Sequence, residues 1–132
     1  CIASKYASVK LSELAIGIGP FVVGPAVERK VGTSAFTQLA INATEWKTAD
    51  WAKSKGLYHE VFDSNDQVNA YVADLAQRLS TMNPEAMQAL KEVSWKGTEN
   101  WDDLLEERAA MSGKLVLSDF TKNAIARFKA KA

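Results

Sequence analysis

The sequence predicts an α/β chain, mainly helical with a few short strands. Two observations carry this. Short apolar extended runs are confined to residues 1–4, 8–11 and 57–62. From about residue 25 onward, apolar residues instead recur every three or four positions, between residues that start and stop helices.

The first run, Cys1-Ile2-Ala3-Ser4, reads as a strand buried on both faces, which needs neighbours to pair with. It lacks an initiator Met, and three short strands are too few for a sheet core. The missing neighbours are therefore expected upstream of Cys1. Lys5–Ser8 reads as a turn, and Val9-Lys10-Leu11 as a second extended piece. Residues 12–24 hold Gly17, Gly19, Pro20 and Gly24 among apolar side chains, which suits tight turns and close approach of a ligand. Neither GxxxxGK nor GxGxxG is present, so this is no phosphate loop.

Pro25 fits a first helical turn, in a helix ending at Gly32. Thr33 or Ser34 can cap the next, with Phe36, Leu39 and Ala40 on one face. Thr48 is the N-cap of a short helix closed by Lys55-Gly56. After the strand Leu57–Phe62, Asn65 or Asp66 caps a helix carrying Val68, Tyr71, Val72, Leu75 and Leu79. Asn83-Pro84 begins a helix that runs toward Gly97, Thr98–Trp101 opens another, and Ser118 starts the last.

Composition narrows the function classes. Across 132 residues, 47% are hydrophobic and 24% charged, the balance of a globular protein filling one domain or a large piece of one. Sixteen basic and sixteen acidic residues cancel, which argues against nucleic acid as a partner. No apolar run approaches the ~18–20 residues of a membrane helix, and no signal peptide is evident. With the lone Cys1, which has no disulfide partner, the expectation is a cytoplasmic protein with no membrane partner. One histidine, His59, and no cysteine cluster make a metal site unexpected; His59 reads as a half-exposed strand residue and Cys1 as a small apolar filler.

Three segments, in their order and spacing, resemble the C-terminal half of the crotonase (enoyl-CoA hydratase/isomerase) superfamily. Cys1-Ile2-Ala3-Ser4-Lys5-Tyr6-Ala7 is similar to the family strand that follows a Gly-rich oxyanion helix. Leu11-Ser12-Glu13-Leu14-Ala15-Ile16-Gly17-Ile18 is similar to a segment with a glutamate followed by an apolar-Gly-apolar turn. Trp46 through Phe62, ending Gly56-Leu57-Tyr58-His59-Glu60-Val61-Phe62, resembles the family's helix-Gly-Leu-Val-x-x-Val element. The resemblance spans the chain. It departs at Gly19-Pro20-Phe21-Val22-Val23-Gly24-Pro25, where typical hydratases have Pro-Gly-x-Gly-Gly. That turn resembles the Pro-aromatic-Val-Val version of isomerase-like and branched-chain members.

The resemblance implies a crotonase-like fold, with residues 1–75 ending the spiral core and 76–132 forming a helical trimerisation region. It implies an enzyme that hydrates or isomerises the double bond of an enoyl-CoA through a thioester enolate. The coenzyme A thioester is then the substrate, with no separate cofactor. Glu13 would be the general acid/base. Its apolar neighbours Leu11, Leu14 and Ile16 give it the surroundings in which a carboxyl can exchange a proton with substrate. Read without the resemblance, Glu13 is a helix-start or turn glutamate. The two backbone donors of the oxyanion hole, and in many hydratases a second glutamate, would lie upstream of Cys1. A fragment without them is expected to be inactive alone.

Near the other end, Arg127-Phe128-Lys129-Ala130-Lys131 puts cations in a last helical turn, which suits the helix dipole. By resemblance, Phe128 and Lys131 would touch the adenine and 3′-phosphate of coenzyme A. Trp46, Trp51, Trp95 and Trp101 are expected as core or interface anchors, and the apolar closing helices fit a homotrimer or dimer of trimers. Two alternatives stay open: another crotonase-type reaction, such as decarboxylation or thioester hydrolysis, and a non-catalytic helical interaction module.

Overall fold

The computed structural model describes residues 1–130. Strands β1 (Ile2–Ser4) and β4 (Glu60–Phe62) pair in parallel, with Ala3 opposite Val61. Strands β2 (Ser8–Val9) and β3 (Lys47–Thr48) pair antiparallel, with Val9 opposite Lys47. The extended runs at 8–11 and 57–62 are thus shorter than the apolar pattern predicts. Residues 57–59 form a turn region before β4, and Lys10 and Leu11 lead out of the ladder.

Ladders of two or three residue pairs have little stability of their own. They are held by α2 (Ala49–Ser54), which packs on β2, β3 and β4, and by α3 (Asn65–Ser80), which packs on β1 and β4. Phe62 and Tyr71 meet across the second contact, ring centroids 5.0 Å apart. Thr48 caps α2 as predicted, its Oγ1 accepting from the Trp51 N–H at 3.2 Å. The cap of α3 is Ser64, not Asn65 or Asp66: Ser64 is extended, and its side chain accepts from the Gln67 N–H.

Helix α1 (Gly24–Ile41) is two helices joined at a break, where Gly32 takes φ 76° and ψ 159°. That positive φ is the reason a glycine stands there, and the predicted helix end at this residue holds. After β4 come α3, then α4 (Pro84–Ser94), α5 (Trp101–Val116) and α6 (Asp119–Lys129). Asn83 Oδ1 accepts from the Glu85 and Ala86 N–H groups, and Ser118 Oγ from that of Thr121, so both predicted caps are made.

The buried apolar residues are alanines apart from Leu39: Ala3, Ala35, Ala43, Ala49, Ala52 and Ala124. Alanines let the elements approach closely. The tryptophans are not in this core. Trp46 is 61% exposed with the Lys10 ammonium 4.5 Å from its ring centre, and Trp95 is 50% exposed and meets Trp101 edge-on. Cys1 is also exposed rather than a buried filler, and its amino nitrogen lies 3.0 Å from His59 Nδ1.

Candidate active site

Glu13 opens a 3₁₀ helix, Glu13–Ile16, the one regular element between β2 and α1. The helix ends at Gly17, whose φ of 84° brings the chain round so that its N–H meets the Leu14 carbonyl. A methyl added at Gly17 would stand 2.5 Å from Phe120 Cδ1 and 2.8 Å from Thr121 Oγ1. Glycine therefore serves twice, for the left-handed turn and for the close seat of α6. Thr121 is fully buried in that seat, its hydroxyl 3.2 Å from Ser118 Oγ.

The segment after this helix, Ile18 through Val23, forms with Glu13 and with Ser112 of α5 a cavity of about 410 Å³. Glu13 is half-buried, and its Oε2 is shielded from solvent with no hydrogen-bond partner among the described residues. A buried carboxylate oxygen left unpaired is costly unless something else meets it. Its position suits proton exchange with a molecule in the cavity. Glu13 thus begins the 3₁₀ helix, as its helix-start reading has it, and also lines this cavity.

Phe128 lies elsewhere. Helix α6 packs on the 3₁₀ helix, and Phe120, Ala124, Arg127 and Phe128 bound a second cavity of about 310 Å³ with Ala15. Ala15 belongs to the same short helix as Glu13, so one element contributes a wall to both cavities. Phe128 is 60% exposed, which leaves its ring face open to a flat partner. Arg127 donates from Nε to the Asn123 carbonyl at 3.3 Å. Lys131, the other residue expected to touch a phosphate, lies outside the described residues.

Two cavity-lining residues carry no signal in the sequence: Ser112, in the cavity of about 410 Å³, and Arg108, in a third of about 230 Å³. Ser112 and Arg108 stand four apart on α5 and so share a face, but they sit among charges and alanines that read as a solvated helix. Arg108 Nε is the other buried side-chain atom without a partner among the described residues. Also among the described residues, no group of three or more His, Cys, Asp and Glu could hold a metal ion. No described helix is long and apolar enough to cross a membrane.

Comparison with known proteins places this architecture. The chain superposes on an enoyl-CoA hydratase/isomerase from Pseudoalteromonas atlantica T6c with a TM-score of 0.86 at 20% identity, over 98% of this chain and 52% of that one. It superposes on an enoyl-CoA hydratase from Mycobacterium avium with a TM-score of 0.87 at 23% identity, over 98% and 51% of the two chains. For a carnitinyl-CoA hydratase from the same organism the TM-score is 0.83 at 25% identity, over 98% and 51%. The chain thus spans about half the length of each of these structures. No curated protein sequence matches it. The family model described as enoyl-CoA hydratase/isomerase matches residues 1–132, the whole chain. The fold is that of the crotonase superfamily, and the chain belongs to the enoyl-CoA hydratase/isomerase family.

Proposed function

We propose that these residues form the acid/base side of an acyl-CoA site, in an enzyme that hydrates or isomerises the double bond of an enoyl-CoA. The observation that carries this reading is the unpaired, buried Oε2 of Glu13 beside a cavity of about 410 Å³. In hydration, Glu13 would take a proton from water as the water oxygen bonds to Cβ, and the thioester would hold the negative charge as an enolate. Return of that proton from the Glu13 carboxyl to Cα would then close the reaction. In isomerisation, the same carboxylate would move a proton between the two carbons flanking the shifting bond. Either course needs donors at the thioester oxygen, which the family resemblance puts outside these 132 residues.

The cavity at Ala15, Phe120 and Phe128 would take the adenine of coenzyme A, with Arg127 and Lys131 as cations for its phosphate. Exposed Leu90 and Val93 on α4 and Leu117 after α5 supply an apolar surface suited to a homotrimer or a dimer of trimers. A helical module without catalysis gives no reason for a carboxylate kept buried and unpaired. The test is turnover by the whole protein. Hydration is read as loss of the conjugated enoyl thioester absorbance, and isomerisation as its gain from a 3-enoyl-CoA. Turnover of either supports the proposal, and turnover of neither overturns it.

A further inference from the structure

The two residues that hold a buried, unpaired side-chain atom among the described residues, Glu13 (Oε2) and Arg108 (Nε), line adjoining spaces. Glu13 lines the cavity of about 410 Å³; Arg108 lines another of about 230 Å³, with Glu28 and Phe36 of α1. Pro20 and Phe21 form walls of both. On α5, Ser112 borders the first cavity and Arg108 the second, one helical turn apart, with Ser112 Oγ donating to the Arg108 carbonyl at 3.2 Å. The second space is well above the ~10–15 Å³ that one water requires.

Its lining is apolar except at two residues. Arg108 forms no ion pair within 4 Å among the described residues, and its Nε–H is a donor without an acceptor. Glu28 is half-buried, and its Oε1 accepts from the Thr33 hydroxyl at 2.6 Å. Its other oxygen has capacity to accept one more proton donor. A cation and an anion on one apolar cavity leave it close to neutral, which disfavours a charged guest. A group that accepts from Arg108 and donates to Glu28 fits both. A hydroxyl does this.

We propose that the Arg108 cavity is the acyl-recognition end of the Glu13 site, and that it selects an acyl group carrying a hydroxyl beyond the reacting carbons. This rests on the acyl-CoA reading of the Glu13 cavity. Arg108 and Glu28 are then specificity residues; neither touches the bond that reacts. A site built to hydrogen-bond a substrate hydroxyl rejects the analogue lacking it, because its own polar groups are left unpaired.

The experiment is a binding titration of the whole protein with saturated, non-reacting thioesters of equal carbon count: a plain acyl-CoA, its ω-hydroxy counterpart and its ω-carboxy counterpart. The ω-hydroxy thioester is expected to bind about tenfold more tightly than the plain one, as a hydrogen bond to a charged donor provides. Arg108→Met is expected to erase that difference while leaving the plain thioester bound. Should that variant fail to fold, the ligand series on the unaltered protein still decides. Equal binding of the plain and hydroxy thioesters would overturn the proposal, since water would then satisfy Arg108. Tightest binding of the carboxy thioester would overturn the pairing of Arg108 with Glu28. In both cases binding persists and the acyl-CoA reading stands; binding of none of the three would remove that reading as well.

Discussion

The guanidinium of Arg29 closes the end of α4: its Nη2 donates to the Ser94 carbonyl at 2.7 Å and to the Lys96 carbonyl at 2.8 Å. A helix end leaves its last carbonyls unpaired, and a cation there also suits the dipole. Arg29 thereby ties α1 to the turn between α4 and α5, 65 residues along the chain from Ser94. Because the bonds are exposed, their net worth is modest. Arg29→Met is expected to lower stability by about 1 kcal/mol and to speed amide hydrogen exchange in the last turn of α4. Unchanged exchange at Trp95 and Lys96 would refute the tie.

The same turn carries a pH dependence. Glu99 Oε1 accepts from the Gly97 N–H at 3.0 Å, and that bond, then the Glu99 N–H and the nearby Arg29 charge, hold its carboxyl below the ordinary value of 4.5. A carboxylate with a lowered folded-state pKa adds stability that is present above the unfolded value and lost as pH falls through the folded one. The Gly97 amide resonance is therefore expected to titrate with a midpoint below 4.5, and Glu99→Gln to abolish that titration. A midpoint at or above 4.5 would contradict the bond.

Gly17 couples the Glu13 turn to α6. Alanine at this position meets both a positive φ of 84° and the Phe120 ring 2.5 Å away. Gly17→Ala is expected to cost on the order of 1–3 kcal/mol, read as a lowered denaturant midpoint. Little or no change would mean that α6 does not sit on the 3₁₀ helix as described.

The Phe128 cavity makes a separate prediction about coenzyme A. Stacking of a base on an aromatic ring is worth ~1–3 kcal/mol, so Phe128→Ala should weaken acyl-CoA binding about tenfold. The corresponding acyl-pantetheine, which has no adenine, should bind wild type and variant alike. Equal losses for both ligands would show that Phe128 acts on the fold and not on the base.

Much of this architecture was legible because helix ends are chemically local. Thr48, Asn83 and Ser118 each satisfy N–H groups two or three residues ahead, so short windows of sequence reveal them. Gly32 marked a helix boundary for a similar reason. Ser64, Asn65 and Asp66 are three suitable caps in a row, and the choice falls to the extended backbone leaving β4. Strand β3 was hidden because Lys47 and Thr48 are polar, and their pairing with Val9 and Ser8 spans distant sequence.

The site was legible in part. Glu13 was singled out through the family resemblance, since its turn and apolar neighbours alone also suit a helix-start glutamate. Arg108 did not, since it follows Glu106 and Glu107 in what reads as a solvated run. Only the packing of α5 beside Pro20 and Phe21 gives it a cavity. The tryptophans stand apart from the alanine-rich core: Trp51 and Trp101 are half-buried, and Trp46 and Trp95 are exposed.

The proposed chemistry rests on one carboxyl group. Glu13→Gln keeps the shape of the side chain and removes its ability to carry a proton. Measured on the whole protein with a short 2-enoyl-CoA, kcat is expected to fall ~10²–10⁴-fold, while affinity for a saturated acyl-CoA stays within about threefold of wild type. An unchanged kcat in a protein that binds the thioester would contradict the role assigned to Glu13.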